Sequence, residues 1–330
     1  MPDFVPVGIV GVGTCLPERV VSNKELETMV ETTDEWIVDR TGIRERRIAK
    51  NEEATSDLAV EAARRALESA GVEPHEVDLI IVATATPDHV FPATASLVQD
   101  RLGCPKAGAF DLSAACTGFM YALVSGAAFI SSGTFKTVLV IGAETMSKLL
   151  NWKDRSTCIL FGDGAGAVVL REVPRGYGLL ASYLGSDGSG GPLLQVPAGG
   201  SRMPNCHQTL DASLQCLHMN GREVYRFAVR VMGEAALEVV KRAGLERKDI
   251  DLFIPHQANI RIIEAAAKRL GLPMDKVLVN VDRYGNTSSA SVPIALDEAI
   301  RSGRLISGNN VVMVGFGAGL SWGAVTFKWQ

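Results

Sequence analysis

The sequence predicts an α/β fold built from two homologous halves. Apolar runs of strand length alternate with amphipathic helices along the chain, a pattern typical of sheets covered by helices. Segments of the first half recur in the same order in the second, which indicates a duplication. The 330 residues suffice for both halves. We expect two βαβαβ-type units, 1–174 and 212–330, joined by the Gly-, Pro- and Ser-rich segment 175–211.

Five short apolar runs are predicted to be buried strands, because they are rich in branched residues and bounded by turn formers. They are residues 77–84, 137–144, 250–255, 277–281 and 310–317. Two long amphipathic segments, 56–71 and 222–244, are predicted to be helices that end at glycine.

The clearest repeat pairs "AGVEPHEVDLIIVA", which begins at Ala70, with "AGLERKDIDLFIPH", which begins at Ala243. Each segment follows a long helix and enters a buried strand. Further pairs are "DRLGCP" with "KRLGLP", "ISSGTFKTVLVIG" with "IRSGRLISGNNVVMVG", and "GAGAVVL" with "SWGAVTF". The first half also carries an insertion, "TMSKLLNWKDRSTCIL", and so long an excursion is usually functional or serves a subunit contact.

Composition argues against several classes of partner. The net charge of −4 gives no overall attraction to nucleic acid or anionic membranes, so an anionic partner would need a local basic patch. No apolar run is long enough to span a bilayer, and the N-terminal residues lack the basic region of a signal peptide. The six cysteines form no tight framework, so we expect reduced thiols and a cytoplasmic location.

The duplication predicts that three chemically active residues meet. When the halves are aligned on residues 131–133 and 301–303, Cys116 in "DLSAACTGF" falls opposite Asn286 in "RYGNTSSAS". His256 in "FIPHQAN" directly follows a predicted strand. The carboxyl ends of strands form the ligand crevice of α/β sheets, so we expect the three side chains to lie there together.

Cys116 precedes an apolar helix, whose N-terminus would lower the thiol pKa. Small neighbouring residues leave room for an acyl group and for backbone N–H groups facing an oxyanion. Each residue has a simpler explanation when it is considered alone. Cys116 could be a buried, unreactive cysteine, His256 a loop histidine and Asn286 a turn residue. Together, Cys116, His256 and Asn286 favour a nucleophile with two polar partners.

Two other sequence motifs give only weak evidence of a binding site. Cys206, His207, Cys216 and His218 lie close in sequence, but their spacing matches no compact zinc module, so we predict no metal site. The glycine-rich stretch 162–166 does not fit a phosphate-binding loop and indicates tight packing between the halves.

The motifs taken together resemble those of the β-ketoacyl-acyl-carrier-protein synthase III family of the thiolase superfamily. They are "TDEWIVDRTGIRERR", "DLSAACTGF", "FGDGAGAVVL", "PHQANIRI" and "YGNTSSASVP". The resemblance implies a thiolase fold, layered α-β-α-β-α. A Cys, His and Asn set separates this branch from chain-elongating synthases, which use two histidines, and from hydroxymethylglutaryl-CoA synthases, which use a glutamate.

The resemblance also implies a reaction and its catalytic residues. Cys116 would take an acyl group from acyl-CoA, and the enolate left when malonyl-acyl carrier protein loses CO2 would attack it. His256 and Asn286 would donate hydrogen bonds to that enolate, and the N–H groups of Cys116 and Ala318 would form the oxyanion hole. The CoA thioester would be a substrate, with no further cofactor, and the enzyme would be a homodimer.

Binding residues follow from the same resemblance. Trp36 and Arg155, in the insertion, would sandwich the CoA adenine, with Arg40 near its phosphates. Phe91 would reach across the dimer to the end of the partner's acyl pocket. The residues expected to line the pantetheine channel are Met219, Gly221 and Asn259.

Two basic stripes could dock an acidic carrier protein, although solvated charge is the usual meaning of such stripes. Arg222, Arg226 and Arg230 share one helix face, and Arg261 and Lys268 share another. Arg226, Arg261 and Lys268 are the predicted docking residues.

Three alternative functions remain at this stage. A similar enzyme of secondary metabolism would use the same catalytic residues. A Cys-His-Asn thioester hydrolase would need His256 to deprotonate the nucleophile and water to reach the acyl-enzyme. A catalytically inactive binding module would not need Cys116, His256 and Asn286 all to be present.

Overall fold

The computed structural model describes residues 5–330. The strands are β1 (Val7–Cys15), β2 (Arg19–Ser22), β3 (Glu45–Ile48), β4 (Leu79–Ala83), β5 (Gly108–Leu112), β6 (Val138–Thr145), β7 (Asp163–Glu172), β8 (Gly178–Ser186), β9 (Leu194–Gln195), β10 (His218–Met219), β11 (Leu252–Pro255), β12 (Asn310–Gly317) and β13 (Ser321–Lys328). The helices are α1 (Asn23–Leu26), α2 (Asp34–Thr41), α3 (Thr55–Ala70), α4 (Thr94–Leu102), α5 (Gly118–Ser131), α6 (His207–Asp211), α7 (Gly221–Arg242), α8 (Ile260–Leu270), α9 (Val281–Tyr284) and α10 (Ser291–Arg301).

Two large sheets have matching strand orders. The first runs β1-β7-β6-β4-β5, and the second runs β8-β13-β12-β11. In the first sheet β1-β7 and β7-β6 are antiparallel and β6-β4 is parallel. In the second sheet β8-β13 and β13-β12 are likewise antiparallel and β12-β11 is parallel. This matching order supports the duplication that the sequence repeats indicate.

Helices cover both sheets and fill the space between them. On β4, Ile80 and Val82 pack with α3 and α4, whereas Ile81 faces the cluster that contains α5 and α10. Helices α7 and α8 pack on the second sheet in a third apolar cluster. The order is therefore α-β-α-β-α, and the predicted layered fold class is confirmed. Both faces of the central strands are buried, which explains their unbroken apolar runs.

The segment predicted as a joining loop contains part of the second sheet. Within 175–211, β8 pairs with β13 in antiparallel register from Gly178 to Ser186. Most side chains of β8 are half-buried, since it is an edge strand, and the segment therefore lacks the apolar run that marks a central strand. Strand β8 thus belongs to the second sheet, although it precedes residue 212, where the second half is predicted to begin.

The strand predicted at 277–281 does not form. Val277 makes one isolated bridge with Phe253, and the chain then turns into α9. The side-chain oxygen of Gln257 accepts hydrogen bonds from Asn280 N and Val281 N at 2.9 and 3.1 Å. A side-chain amide thus replaces the neighbouring strand as the partner of these backbone groups.

The two halves pack tightly where the predicted crevice lies. A Cβ on Gly162 would collide with the Tyr284 carbonyl oxygen, and one on Gly166 would lie 2.7 Å from Pro293 Cβ. These contacts explain the glycine-rich stretch by packing between halves. None of the helices between residues 5 and 330 is long and apolar enough to cross a membrane.

Candidate active site

Cys116 lies in a single 3-10 turn, Ala115–Thr117, directly before α5. Ala115 has a φ of 46°, so the chain turns sharply there between β5 and the helix. The hydroxyl of Thr117 donates to Ala114 O at 2.7 Å and lies 2.8 Å from Ser321 Oγ, which ties the turn to β13. The nucleophile candidate therefore sits on a turn held from both halves.

The expectation of a lowered thiol pKa at Cys116 is wrong for this structure. Burial raises the pKa of the Cys116 thiol to about 12, and the nearby Glu144 charge also raises it. A hydrogen bond with Ser288 lowers the pKa by less than burial raises it. The residue is only 9% exposed, so loss of hydration is the largest cause of the raised pKa.

His256 is fully buried at the end of β11. Its backbone N–H donates to Val314 O at 2.7 Å, and its Nδ1 lies 2.5 Å from Ser291 Oγ. The Phe316 ring packs edge-on against the imidazole, with centroids 5.4 Å apart. Burial lowers the His256 pKa to about 3, so the imidazole is neutral at physiological pH. Nε2 has no hydrogen-bond partner within residues 5–330.

Asn286 is held by backbone bonds to the loop before β7. Its N–H donates to Leu160 O at 2.8 Å, and its carbonyl accepts from Gly162 N at 3.0 Å. The side-chain Oδ1 accepts from Ser288 N at 2.8 Å. Because this bond occupies the amide oxygen, the Nδ2 group is left to donate elsewhere.

One cavity of about 100 Å³ joins these residues. Its walls include Cys116, His256 and Asn286 and also the three residues expected in the pantetheine channel, Met219, Gly221 and Asn259. Sequence reasoning missed Phe316 and Gly317, which line the same cavity. The site thus offers a thiol, a neutral imidazole and a carboxamide to a ligand entering a narrow, mainly apolar channel.

Family models and curated sequences both match this chain. Residues 110–188 match the family model 3-Oxoacyl-[acyl-carrier-protein (ACP)] synthase III, and residues 240–329 match the model of its C-terminal part. A Beta-ketoacyl-[acyl-carrier-protein] synthase III of Caldanaerobacter subterraneus subsp. tengcongensis is 56% identical over 330 residues, with 100% of both chains covered.

The chain belongs to the 3-oxoacyl-[acyl-carrier-protein (ACP)] synthase III family.

Solved structures of related enzymes have the same overall fold as this chain. The 3-oxoacyl-[acyl-carrier-protein] synthase III of Aquifex aeolicus VF5 has a TM-score of 0.91 and 48% identity, covering 98% of this chain and 100% of its own. The priming beta-ketosynthase from the R1128 polyketide biosynthetic pathway has a TM-score of 0.92 and 41% identity, covering 100% and 98%. As a synthase III family member, the chain has the thiolase fold and is a condensing enzyme of the acyltransferase class.

The residues expected to hold CoA lie together, and one hydrogen bond connects them to a residue of the cavity wall. The Arg40 and Arg155 guanidinium groups lie 4.7 and 5.3 Å from the centroid of the Trp36 ring. Arg155 also donates to Glu31 O at 3.0 Å. Asn259 Nδ2 donates to Arg40 O at 2.9 Å and so connects the Trp36 cluster to the cavity wall. An adenine ring entering between Trp36 and Arg155 would have to displace their direct contact.

Two predicted residues lie outside the cavity of this chain. Ala318 directly follows Gly317 but does not line the cavity, and its oxyanion role stays a prediction. Phe91 is 84% exposed and does not line the cavity, so its role at a partner's acyl pocket stays a prediction.

The predicted docking residues are exposed, and two are paired. Arg226 binds Glu223 at 2.9 Å, and Arg261 binds Asp39 at 3.1 Å, while Lys268 lies in the last turn of α8. Exposed pairs of this kind contribute little to stability and leave much of the charge available to a partner.

The cluster of Cys206, His207, Cys216 and His218 shows no metal geometry. Cys206 is exposed, and His218 Nε2 lies 3.2 Å from Ser213 O. Across residues 5–330, no group of three or more His, Cys, Asp or Glu side chains is arranged to hold a metal ion.

Sequence reasoning also missed a buried carboxyl group next to the site. Glu144, at the end of β6, accepts hydrogen bonds from Ala85 N, Thr86 Oγ1 and Ser288 Oγ at 3.0, 2.8 and 2.9 Å. Burial raises its pKa. Glu144 joins the loop after β4 to the Asn286 loop, a role that one acidic residue at a strand end does not reveal in sequence.

Proposed function

We propose that the chain starts fatty-acid synthesis by a decarboxylative condensation of an acyl-CoA primer with malonyl-acyl carrier protein. The observation that carries this proposal is the single cavity lined by Cys116, His256 and Asn286. Acetyl-CoA or another short or branched acyl-CoA is the proposed primer. The CoA thioester is a substrate, and we propose no other cofactor.

In the first half-reaction, Cys116 sulfur bonds to the acyl carbonyl carbon and the bond to the CoA sulfur breaks. The proton lost by Cys116 ends on CoA, which leaves as a thiol. The raised pKa means that the free enzyme holds the protonated thiol, so proton loss accompanies attack. The N–H groups of Cys116 and Ala318 are the proposed donors to the oxyanion.

In the second half-reaction, the malonyl carboxylate leaves as CO2 and its bonding electrons form an enolate. His256 Nε2–H and Asn286 Nδ2–H donate to the enolate oxygen, while its carbon attacks the acyl-cysteine and releases Cys116, which regains a proton. A base is not required, because loss of CO2 generates the carbanion. The pKa of His256, about 3, supports a neutral donor over a base.

Binding partners follow the same proposal. Trp36, Arg40 and Arg155 would hold the CoA nucleotide, and Met219, Gly221 and Asn259 would line the pantetheine channel. An acidic carrier protein would dock on the faces that carry Arg226, Arg261 and Lys268.

A homodimer is the proposed assembly. Strand β5 pairs with β4 on one side only, and it carries the half-exposed Phe110 at the edge of the first sheet. Val90 and Phe91 are 89% and 84% exposed nearby in sequence. A second copy covering this edge would bury these side chains and bring Phe91 to the partner's acyl pocket. We propose a cytoplasmic location, with neither nucleic acid nor membrane as a partner.

A condensing enzyme of secondary metabolism is the second candidate, favoured by the 41% identity to the R1128 priming ketosynthase. The proposed catalytic residues would be the same, and primer and carrier protein would differ. The test offers competing primer-CoA species with malonylated carrier proteins of both pathways and reads the products by mass. A 3-oxoacyl product on the fatty-acid carrier protein is expected. Free acid released without carbon–carbon bond formation would instead identify a thioester hydrolase.

A further inference from the structure

Ser291 makes one short contact with the imidazole of His256. Its Oγ, on the first residue of α10, lies 2.5 Å from Nδ1. The two residues are 2% and 0% exposed. Across residues 5–330 the Ser291 hydroxyl has no other hydrogen-bond partner. The hydroxyl proton therefore has a single acceptor within reach, which is Nδ1.

The direction of this bond decides which imidazole nitrogen carries the proton. A neutral imidazole has one N–H, so a hydroxyl that donates to Nδ1 requires the proton on Nε2. The reverse arrangement would strand the Ser291 proton in a buried site and would present a bare acceptor to the cavity. Nε2 is the His256 nitrogen that is buried without a partner, and His256 lines the cavity of Cys116 and Asn286.

We propose that Ser291 is a positioning residue that fixes His256 with its proton on Nε2, as a hydrogen-bond donor for the enolate. This inference rests on the proposed function, since the enolate is an intermediate of that reaction.

The chemical type of the partner matters as much as its position. A carboxylate at Nδ1 would stabilise the imidazolium and favour a general base. Other groups that contact His256 include the Val314 carbonyl, which accepts a hydrogen bond from its backbone N–H, and the Phe316 ring. The buried carboxyl of Glu144 is engaged with Ser288 and Ser289 instead. A hydroxyl that donates to Nδ1 leaves the ring neutral and polarises its Nε2–H.

The test compares Ser291→Ala with a matched control, Ser289→Ala. Ser289 is equally buried and two residues away, but its hydroxyl donates to Ala83 O at 2.8 Å and does not contact His256. Nitrogen-15 NMR of histidine-labelled enzyme reports the tautomer, and the signals lost in His256→Asn identify His256. Wild type and Ser289→Ala should show Nε2–H. Ser291→Ala should show a mixture of tautomers.

Activity gives a second, independent reading. Ser291→Ala should slow condensation by roughly ten- to a hundredfold, as for loss of a group that orients a histidine ligand. Acyl transfer to Cys116, which does not use the enolate donor, should change by less than about threefold, within the usual context dependence of single contacts. Ser291→Thr keeps the hydroxyl and should restore condensation.

Two results would overturn the inference. The first is an NMR spectrum of the wild-type enzyme that shows His256 protonated on Nδ1. This measurement does not depend on whether any variant folds. The other is an equal loss of both half-reactions in the Ser291 and Ser289 variants, which marks a structural effect. If the tautomer is as proposed but wild type forms no condensation product, the proposed function fails and the tautomer assignment stands.

Discussion

Gly317 lies so close to Cys116 that a Cβ atom on it would be 2.8 Å from the Cys116 amide nitrogen. In β6, a Cβ on Gly142 would likewise collide with Ser289 O. Each sheet therefore runs closely past the catalytic loop of the other half. This packing explains how Cys116 and Asn286, which are 170 positions apart, come to line one cavity. It also leaves no room for a side chain at Gly317.

Gly317→Ala should displace the Cys116 turn. We expect acylation of Cys116 to slow at least about tenfold and the free energy of unfolding to fall by about 1–3 kcal/mol, the usual cost of overpacking. Gly200→Ala is the control, because a Cβ there meets no atom within 4 Å. Acyl-enzyme formation followed by mass, with urea unfolding in parallel, checks both effects. Wild-type acylation by Gly317→Ala would show that the turn tolerates the shift.

The two half-reactions should separate by mutation. Cys116→Ala should abolish acyl transfer from acyl-CoA. His256→Ala and Asn286→Ala should still acylate Cys116 but lose condensation by roughly two orders of magnitude or more, as expected for a main oxyanion donor. Peptide mass analysis locates the acyl group. An acyl label on Cys158 or Cys206 with Cys116 unlabelled, or a larger loss of acylation than of condensation in His256→Ala, would contradict these roles.

His256 should make stability depend on pH. Its folded pKa of about 3 lies below the ordinary value of 6.5, so the unfolded chain binds a proton that the folded chain does not. Its stabilising contribution is complete above pH 6.5 and is lost as pH falls towards 3, by about 1.4 kcal/mol per pH unit.

Urea unfolding of wild type and His256→Asn between pH 5 and 7.5 measures this contribution, since every other group is common to both proteins. The difference in unfolding free energy should shrink by about 2 kcal/mol from pH 7.5 to pH 5. Parallel curves for the two proteins would mean that His256 titrates normally in the folded state.

The free enzyme should protect Cys116 from alkylation at neutral pH. The Cys116 pKa is raised to about 12, whereas Cys206 is exposed and hydrogen bonds from Thr209 lower its pKa. Iodoacetamide at pH 7.5 should therefore modify Cys206 first, and Cys116 labelling should rise about tenfold per pH unit, because the thiolate is the reactive form. Rapid, pH-independent labelling of Cys116 would indicate a thiolate stabilised by the start of α5.

The basic face of α8 should affect carrier-protein reactions selectively. Arg261→Glu would place a carboxylate beside Asp39, and Lys268→Glu would reverse an exposed charge. Both should raise the KM for malonyl-acyl carrier protein and leave acyl transfer from acyl-CoA nearly unchanged. Arg64→Glu, on α3 at the first sheet, is the control. Added salt should reduce the difference, since exposed charges are screened over about 8–10 Å. Equal loss of both half-reactions in Arg261→Glu would assign Arg261 to structure or CoA binding.

The α/β class and the place of the catalytic candidates can be predicted from the sequence. Central strands are buried on both faces, so they appear as apolar runs such as the one in β4. Because the chain repeats, aligning its halves set Cys116 opposite Asn286. Strand ends in α/β sheets meet at one edge, which added His256 without any contact being known.

The protonation and hydrogen bonding of these residues depend on contacts between distant parts of the chain. The direction of the Cys116 pKa shift depends on how completely distant segments exclude water, whereas the local sequence pattern predicts the opposite direction. The partner of His256 is 35 residues away, on a different element. Gln257, not a neighbouring strand, binds the backbone at Asn280 and Val281, so no strand forms there. Burial, desolvation and side-chain partners arise from packing between distant segments, so the local pattern of apolar and polar residues does not predict them.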